Sequence, residues 1–555
     1  MELASPNNQI TTRENERSRR PVWPAVAVGL ILGLTAFICI GGLATLNPHN
    51  IQWLLDSPDP RTHYLGWCFF RAAPWSLPPG LNPAYGMAMG SSIVYSDSIP
   101  IMALLLKPFS PWLAAEFQYT GIWLLLSLLL QGVFAMLLGR RLAGGIVAQG
   151  LVAGFLVLPS VLLQRLNGHY ALAAQWMVLW AIWLYLQPPK DGRAIRWAWV
   201  AAAALASLIH LYLAVMVVLI WHGDLLRRWM EHRSRVARLG AEYALVVAIT
   251  LGTMWTAGYF VVGFSDTVTP GAAGAYGMNL ASPLDPRGAS LLLNDIPLEH
   301  AGQIEGSCYL GLGVIVLGLI SLMSVVRHGP LRWHLTTCLP LLIVCLGVTL
   351  FAVSPLVTLG PWKVVSLPNY WGKLSEVLRA SGRMIWPVFY ILNVAVLAAI
   401  ISRFGGRMVI GLLAGALCLQ IVDLSPAVAK LRQHFGAPPP MVNSLKDCFW
   451  TVAARKYRHG VFVPAEAGSL DWFSLARIAA QNRMSVNYGY FARYSWNRKV
   501  LADEQQLKQL RRGLVDYQSL YVICDEALIP ELELELGASM IGQVDGYWII
   551  APQGL

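Results

Sequence analysis

Apolar residues in this chain come in blocks, each followed either by a short basic cluster or by a long polar, aromatic-rich stretch. Blocks near the ~20 residues that span a bilayer predict transmembrane helices. They fall at 23–46, 113–138, 146–163, 171–186, 244–264, 311–326, 335–353, 385–401 and 409–422. The block 197–221 has arginines at both ends, which fits two short spans meeting near His210 better than one. The total is about 11 spans. A shorter apolar piece, 99–109, is too short to cross and predicts an interfacial or re-entrant helix.

Between the blocks lie three long loops, 47–111, 265–308 and 354–383, predicted on the outer side. A polar tail (1–21) precedes the membrane region (22–428) and predicts a disordered cytoplasmic segment. Beyond it the pattern changes. Pro438-Pro439-Pro440 marks a linker, and in 429–555 short strands such as Val461-Phe-Val and Tyr521-Val-Ile-Cys alternate with helical stretches such as 504–512. The end reads as a hairpin, 540–544 with 547–550. The expected architecture is an α-helical polytopic membrane protein with a C-terminal α/β domain of roughly 120 residues on the outer side.

Composition strengthens this picture. Of the 555 residues 56% are hydrophobic and 13% charged, against roughly 25% charged in soluble proteins. The net charge of +11 gathers in clusters such as Arg140-Arg141, Arg227-Arg228 and Arg403 to Arg407. That is the positive-inside pattern, with a cytoplasmic N-terminus, and gives no reason to invoke nucleic acid. The 22 Trp and 20 Tyr suit interfacial anchoring. No cleavable signal peptide is evident. The eight cysteines form no CxxC pair. Cys39, Cys338, Cys345 and Cys418 read as small hydrophobes, and Cys448 and Cys524 share the outer domain, where they could pair.

Ionisable groups concentrate in the loops, where water and substrate reach them. The first loop holds Asp56, Asp59, His63, Arg71 and Asp97. Asp59-Pro60 reads as an N-cap with proline at the first helical position of a helix over 60–71, placing His63, Trp67 and Arg71 on one face. Capping and catalysis are both open to Asp59, because a capping carboxylate keeps a free oxygen. Asp56 is either catalytic or simply solvated, and Asp97 could equally cap the interfacial helix. His169 in Arg165-Leu-Asn-Gly-His169-Tyr falls at an outer turn, and Glu305 and Tyr309 stand in Glu305-Gly-Ser-Cys-Tyr309. In the third loop Arg379 and Arg383, four residues apart, suit phosphate binding or interfacial snorkelling. No spacing among His, Asp and Glu is specific to a metal; a divalent ion remains open.

The order of first span, acidic outer loop, interfacial helix and a second span ending in Gly139-Arg140-Arg141 resembles the GT-C membrane glycosyltransferases. Five segments also resemble an uncharacterised family of bacterial GT-C-like membrane proteins: Asp59-Pro-Arg-Thr-His63-Tyr-Leu-Gly-Trp67-Cys-Phe-Phe-Arg71, Ser92-Ile-Val-Tyr-Ser-Asp97-Ser, Gly168-His169-Tyr, Glu305-Gly-Ser-Cys-Tyr-Leu-Gly and Arg379-Ala-Ser-Gly-Arg383. The resemblance implies sugar transfer from a polyprenyl-phosphate donor to an envelope glycan, lipid or protein on the outer face of the bacterial inner membrane. It implies a loop carboxylate as general base, Asp59 first with Asp56 and Asp97 behind it, and His63 orienting. Arg71, His169, Glu305, Tyr309, Arg379 and Arg383 would bind substrate, with Arg379 and Arg383 on the phosphate. The spacing Asp56-x-x-Asp59 departs from the tight acidic pair of some members. A transporter or flippase, and a non-catalytic envelope assembly protein, are the alternatives.

Overall fold

The structure, a computed structural model, describes residues 21–187, 196–231, 236–263, 274–329, 335–438, 443–465, 471–536 and 540–554. The polar tail up to residue 20, Lys190, Arg193, Arg233, Arg235, Arg332, residues 265–273 of the second loop and Pro439-Pro440 lie outside the described residues.

The membrane region is a helical bundle. In chain order its helices are α1 (Trp23–Cys39), α2 (Pro58–Ala72), α3 (Pro100–Leu106), α4 (Thr120–Leu142), α5 (Ile146–Val157), α6 (Ser160–Arg165), α7 (Trp176–Tyr185), α8 (Trp197–Ser207), α9 (Leu211–Glu231) and α10 (Val236–Ala257). Then follow α11 (Leu312–His328), α12 (Leu335–Val353), a small antiparallel ribbon of β1 (Leu356–Leu359) and β2 (Trp362–Ser366), α13 (Lys373–Val377), α14 (Trp386–Arg403), α15 (Gly406–Asp423) and α16 (Ser425–Gly436). Five stretches are long and apolar enough to cross a membrane: Thr120–Leu142, Ile146–Arg165, Val236–Ala257, Ser381–Arg403 and Gly406–Asp423. Five shorter apolar helices accompany them among the described residues. On α10 and α12 large apolar side chains such as Leu251, Trp255, Leu342 and Leu346 face outward, as lipid-facing residues do. The chain is a multi-pass membrane protein.

Local sequence explains the bundle's tightest seam. Gly29 and Gly33 of α1 lie so close to α4 that a Cβ on either would stand 2.7 Å from Gly132 O or 2.3 Å from Leu128 O. Small residues four apart allow this backbone approach. Two boundaries differ from the sequence reading, and one break falls where it is expected. The first span stops at Cys39 and continues as a 3₁₀ turn, Gly42–Leu46. The second begins at Thr120 rather than 113, because Pro108 and Pro111 hold the chain in a 3₁₀ turn, Lys107–Trp112, after α3. The block 197–221 breaks between α8 and α9 at Leu208–His210, where the sequence predicts the turn.

The C-terminal region holds α17 (Phe449–Lys456), β3 (His459–Val463), α18 (Trp472–Gln481), β4 (Ser485–Val486), α19 (Trp496–Leu510), β5 (Ser519–Ile523), α20 (Ile529–Leu536), β6 (Ile541–Val544) and β7 (Tyr547–Ile550). The sheet order is β4-β3-β5-β7-β6, parallel across β4, β3 and β5 and antiparallel at β7 and β6. Asp545 and Gly546, both at positive φ, make the predicted hairpin turn. No disulfide joins Cys448 and Cys524, so the pairing that sequence left open is not made.

This region does not hang free of the bundle. The first loop forms a bridge along the edge strand β4, with Gly86 N donating to Val486 O and Val486 N to Ala84 O. Ala492 N and Ser495 N donate to Tyr95 O and Met89 O. Tyr85, fully buried, stacks on Phe69 at 4.8 Å and meets Phe491 edge-on at 4.7 Å. The edge strand is thereby covered by the same loop that carries the candidate chemistry.

Candidate active site

Glycine at positions 306 and 382 lets the second and third loops touch. A Cβ on Gly382 would fall 2.6 Å from Gly306 Cα and 2.8 Å from Tyr276 O, so no larger residue fits without moving backbone. The contact brings two 3₁₀ turns together, Ala301–Gly306 and Ser381–Ile385. It sets Glu305 Oε2 2.6 Å from Arg383 Nε. Arg165, at the end of α6, reaches the same oxygen at 2.7 Å. One carboxylate therefore pairs with two guanidiniums, leaving the trio one positive charge in excess.

Gly168, at φ +122°, turns the chain after α6 and presents His169 to this cluster. His169 Nε2 is 3.9 Å from Glu305 Oε1 and 3.7 Å from Asp59 Oδ2. Asp59 lies in the first turn of α2, but it is not the cap. Ser57 holds that position without a side-chain bond. The capping reading is corrected because Pro58 and Pro60 already fix the first turn. The Asp59 side chain is 44% exposed and has no hydrogen-bond partner among the described residues.

Asp97 is held differently. Gly66 of α2 packs so tightly on Ser96 and Ser98 that a Cβ would meet their hydroxyl oxygens at 2.1 and 2.3 Å. Ser98 Oγ donates to His63 O. This pins the 96–98 turn against α2 and places Asp97 Oδ2 3.3 Å from His63 Nε2 and Oδ1 3.5 Å from His210 Nε2. Asp97 does not cap α3, whose first turn starts from Ile99 with no side-chain bond. Asp97 and Ile99 both have positive φ, 52° and 49°. For β-branched Ile99 that is a strained conformation, of the kind that gathers at functional sites.

Loop 1, the His169 turn, loop 2 and loop 3 thus meet in one place, with His210 from the α8–α9 turn. The remaining sequence candidates lie elsewhere. Asp56 Oδ2 is 2.7 Å from His434 Nδ1 of α16, and His434 Nε2 lies 2.9 Å from the Tyr170 hydroxyl. Tyr309 is buried and donates to Asp423 Oδ2 at 2.7 Å, near the junction of α15 and α16. Arg71 points away from the carboxylates and donates to the carbonyls of Ser110, Leu113, Ala114 and Ala115. Arg379 is exposed, lies over the Tyr276 ring at 5.5 Å, and has no carboxylate partner among the described residues. Arg493, which sequence reading passed over, crosses from the C-terminal region to the carbonyls of Glu376 and Val377, just before Arg379. Tyr490 O accepts from Thr62 Oγ1 on α2 at 2.9 Å. Arg165 was within reach from sequence, four residues before His169. His434 and Asp423 gave no local signal, since their partners Asp56, Tyr170, Ser290 and Tyr309 lie more than a hundred residues away in sequence.

The electrostatics separate the carboxylates. Burial raises the Asp59 carboxyl above the ordinary range, and the nearby charges of Asp97 and Glu305 add to this against the pull of His63 and Arg383. Burial would raise Asp97 as well, but His210, His63 and His169 outweigh it and hold the group well below the ordinary range. Glu305, against the same burial, is held low by Arg383 and Arg165. His169 is pushed well down by burial and by the two arginines, so it stands as a neutral imidazole at neutral pH. Asp59 is the carboxylate closest to proton exchange. His63, Asp97 and His169 each offer a ligand atom within 4.8 Å of the others. Two imidazoles and a carboxylate fit a divalent cation, and His63 Nδ1 is buried without a partner.

A family model described as "Domain of unknown function (DUF6311)" matches residues 30–425, and one described as "DUF6311 C-terminal domain" matches residues 449–552. A comparison with curated protein sequences finds no match. Among the solved structures that match is the archaeal oligosaccharyltransferase AglB from Archaeoglobus fulgidus, in complex with an inhibitory peptide and a dolichol-phosphate. The likeness covers 91% of this chain and 71% of that one, at 11% identity and a TM-score of 0.37. At that score it carries no argument about this chain.

Proposed function

The chain belongs to the DUF6311 family, and we propose that it is an integral membrane glycosyltransferase of GT-C type. On this reading the helical region spans the inner membrane of a bacterium about 11 times. The N-terminus is cytoplasmic, and the loop cluster and the C-terminal domain are periplasmic. The donor is a sugar on a polyprenyl phosphate, and the acceptor is an envelope glycan, lipid or protein.

One observation carries the reading. Asp59, solvent-accessible and without a hydrogen-bond partner among the described residues, stands beside the neutral His169 at the point where all three long loops meet. A general base must be ionisable near working pH and open to the acceptor. Asp97, clamped by two imidazoles, and Asp56, bonded to His434, meet neither condition as well. In the reaction Asp59 takes the proton of an acceptor hydroxyl as its oxygen bonds to the sugar's anomeric carbon. The bond from that carbon to the donor phosphate breaks, and the phosphate leaves with the electron pair. Arg379, exposed and free of a carboxylate, meets that developing charge. Arg383, paired with Glu305, contributes its field rather than a free fork. His63, held by Asp97, orients the floor of the site. A divalent cation on His63, Asp97 and His169 would add positive charge near the leaving phosphate.

The test is transfer itself. Purified protein in lipid, given a polyprenyl-phosphate sugar and an envelope acceptor extract, should form a glycosidic bond, and Asp59→Asn should not. Movement of the lipid across the bilayer without bond formation would favour a flippase. Full function of Asp59→Asn in cells, alongside loss on removal of residues 438–555, would favour an assembly protein.

A further inference from the structure

A second charged site lies on another side of α2, away from Asp59 and His63. It is a cleft of about 570 Å³ between α2, the α3 turn and α18 of the C-terminal region. Tyr64, Cys68, Arg71, Lys107, Arg477 and Arg483 line it, so four of its lining residues are cations and none is a carboxylate. Arg477 is neutralised by Glu116. Arg71 has no carboxylate partner among the described residues: its guanidinium donates to backbone carbonyls and lies over the Trp67 ring at 5.5 Å.

Lys107 is the decisive group. It is 5% exposed, yet its only polar contact among the described residues is a 3.4 Å bond to Pro74 O. Its ammonium sits against the faces of Phe70 at 3.9 Å and Trp75 at 4.7 Å. Burying an ammonium without a counter-ion is costly, and aromatic faces offset that cost only in part. Burial accordingly pushes the Lys107 pKa down to about 8. An anion in the cleft would remove the deficit. Trp75 in the lining, and Leu77, Leu105, Phe109 and Trp112 beside lining residues in sequence, are all exposed. Aromatic and apolar side chains of this kind settle at the level of lipid headgroups.

We infer that this cleft binds a phosphate group, with Lys107, Arg71 and Arg483 as its cations, and that the bearer is an anionic phospholipid headgroup entering from the bilayer surface. The site is independent of the proposed transfer chemistry and stands whether or not Asp59 is a base. It would fasten the C-terminal region to the membrane surface through α18, next to the loop it already covers.

The experiment is native mass spectrometry of the full chain, delipidated in a neutral detergent and titrated with short-chain phosphatidylglycerol or phosphatidylcholine. Phosphatidylglycerol should bind about tenfold more tightly, and Lys107→Met and Arg483→Gln should each weaken it about tenfold. Displacement by inorganic phosphate would identify free phosphate as a sufficient ligand; resistance to it would assign the site to the lipid. Equal binding of the two lipids, or unchanged phosphatidylglycerol binding in both variants, would overturn the inference. Should Lys107→Met fail to fold, Arg483→Gln decides alone, because its side chain is exposed.

Discussion

Glu305 Oε2 lies 2.6 Å from Arg383 Nε and 2.7 Å from Arg165 Nη1, so a single carboxylate holds two arginines from the two halves of the membrane region's sequence. The arrangement fixes the seam between the α6 turn and the third loop. Its consequence is asymmetric. Glu305→Gln leaves two buried guanidiniums facing each other, and removing one partner of a buried pair costs about 3–5 kcal/mol. Thermal unfolding of the purified variant should show a large drop in Tm. Arg383→Lys keeps the charge but loses the planar donor geometry, and a smaller drop is expected. Equal stability of Glu305→Gln and wild type would show that the seam rests on the glycine contact alone.

Asp59 makes the opposite prediction. Because it caps nothing and bonds to nothing among the described residues, Asp59→Asn should unfold within about 0.5 kcal/mol of wild type, as surface changes do. Transfer should fall by about 10²–10⁴-fold, the range for loss of a general base. Sugar-transfer assays and thermal unfolding on one preparation separate the two. A variant with full activity would move the role to Asp97 or Asp56.

How much of this could be read from sequence depends on the distance between partners. The break at His210, the turn at His169 and the hairpin at Asp545-Gly546 follow from local patterns, and each is found. Glu305 and Arg383 were visible as charged residues at loop ends, but not as partners, because their contact depends on Gly306 and Gly382 meeting across loops 2 and 3. The Asp59 cap failed for a local reason: Pro58, one residue earlier, had already started the helix. Tyr309 looked like a site residue because it follows Glu305 in a polar motif. The Tyr309 hydroxyl instead goes to Asp423, 114 residues on. Asp56 reads from sequence as either catalytic or solvated, since nothing nearby announces His434.

The Asp56–His434 pair gives a pH prediction. Burial alone would raise the Asp56 carboxyl, but the hydrogen bond and charge of His434 outweigh it and lower the pKa below its usual 3.8. A carboxylate with a lowered folded-state pKa stabilises the protein above its unfolded value, and that contribution disappears as pH falls through the folded one. The Tm gap between wild type and Asp56→Asn should therefore close as pH falls below about 4. A gap that persists unchanged at lower pH would mean that Asp56 contributes by packing rather than by charge.

The last prediction concerns the join between the two regions. Tyr85 is fully buried between Phe69 of α2 and Phe491 of the C-terminal region, and Gly489 lies so close that a Cβ there would meet Phe491 and the Tyr85 ring at 2.5–2.6 Å. The ring fills the space between the helix that carries Asp59 and the segment that carries Tyr490 and Arg493. Tyr85→Ala removes it and should cost about 3–5 kcal/mol, the range for deleting a large buried aromatic. If the C-terminal region helps to shape the site, the lost packing should also loosen the backbone bonds from Val486 to Ala84 and Gly86. Transfer by the folded variant should then fall although no charged residue has changed. Hydrogen exchange at Ala84 to Met89, measured beside activity, decides the matter. Faster exchange with reduced transfer ties the two regions into one working unit, and faster exchange with unchanged transfer would make the C-terminal region a passive cover over a complete site.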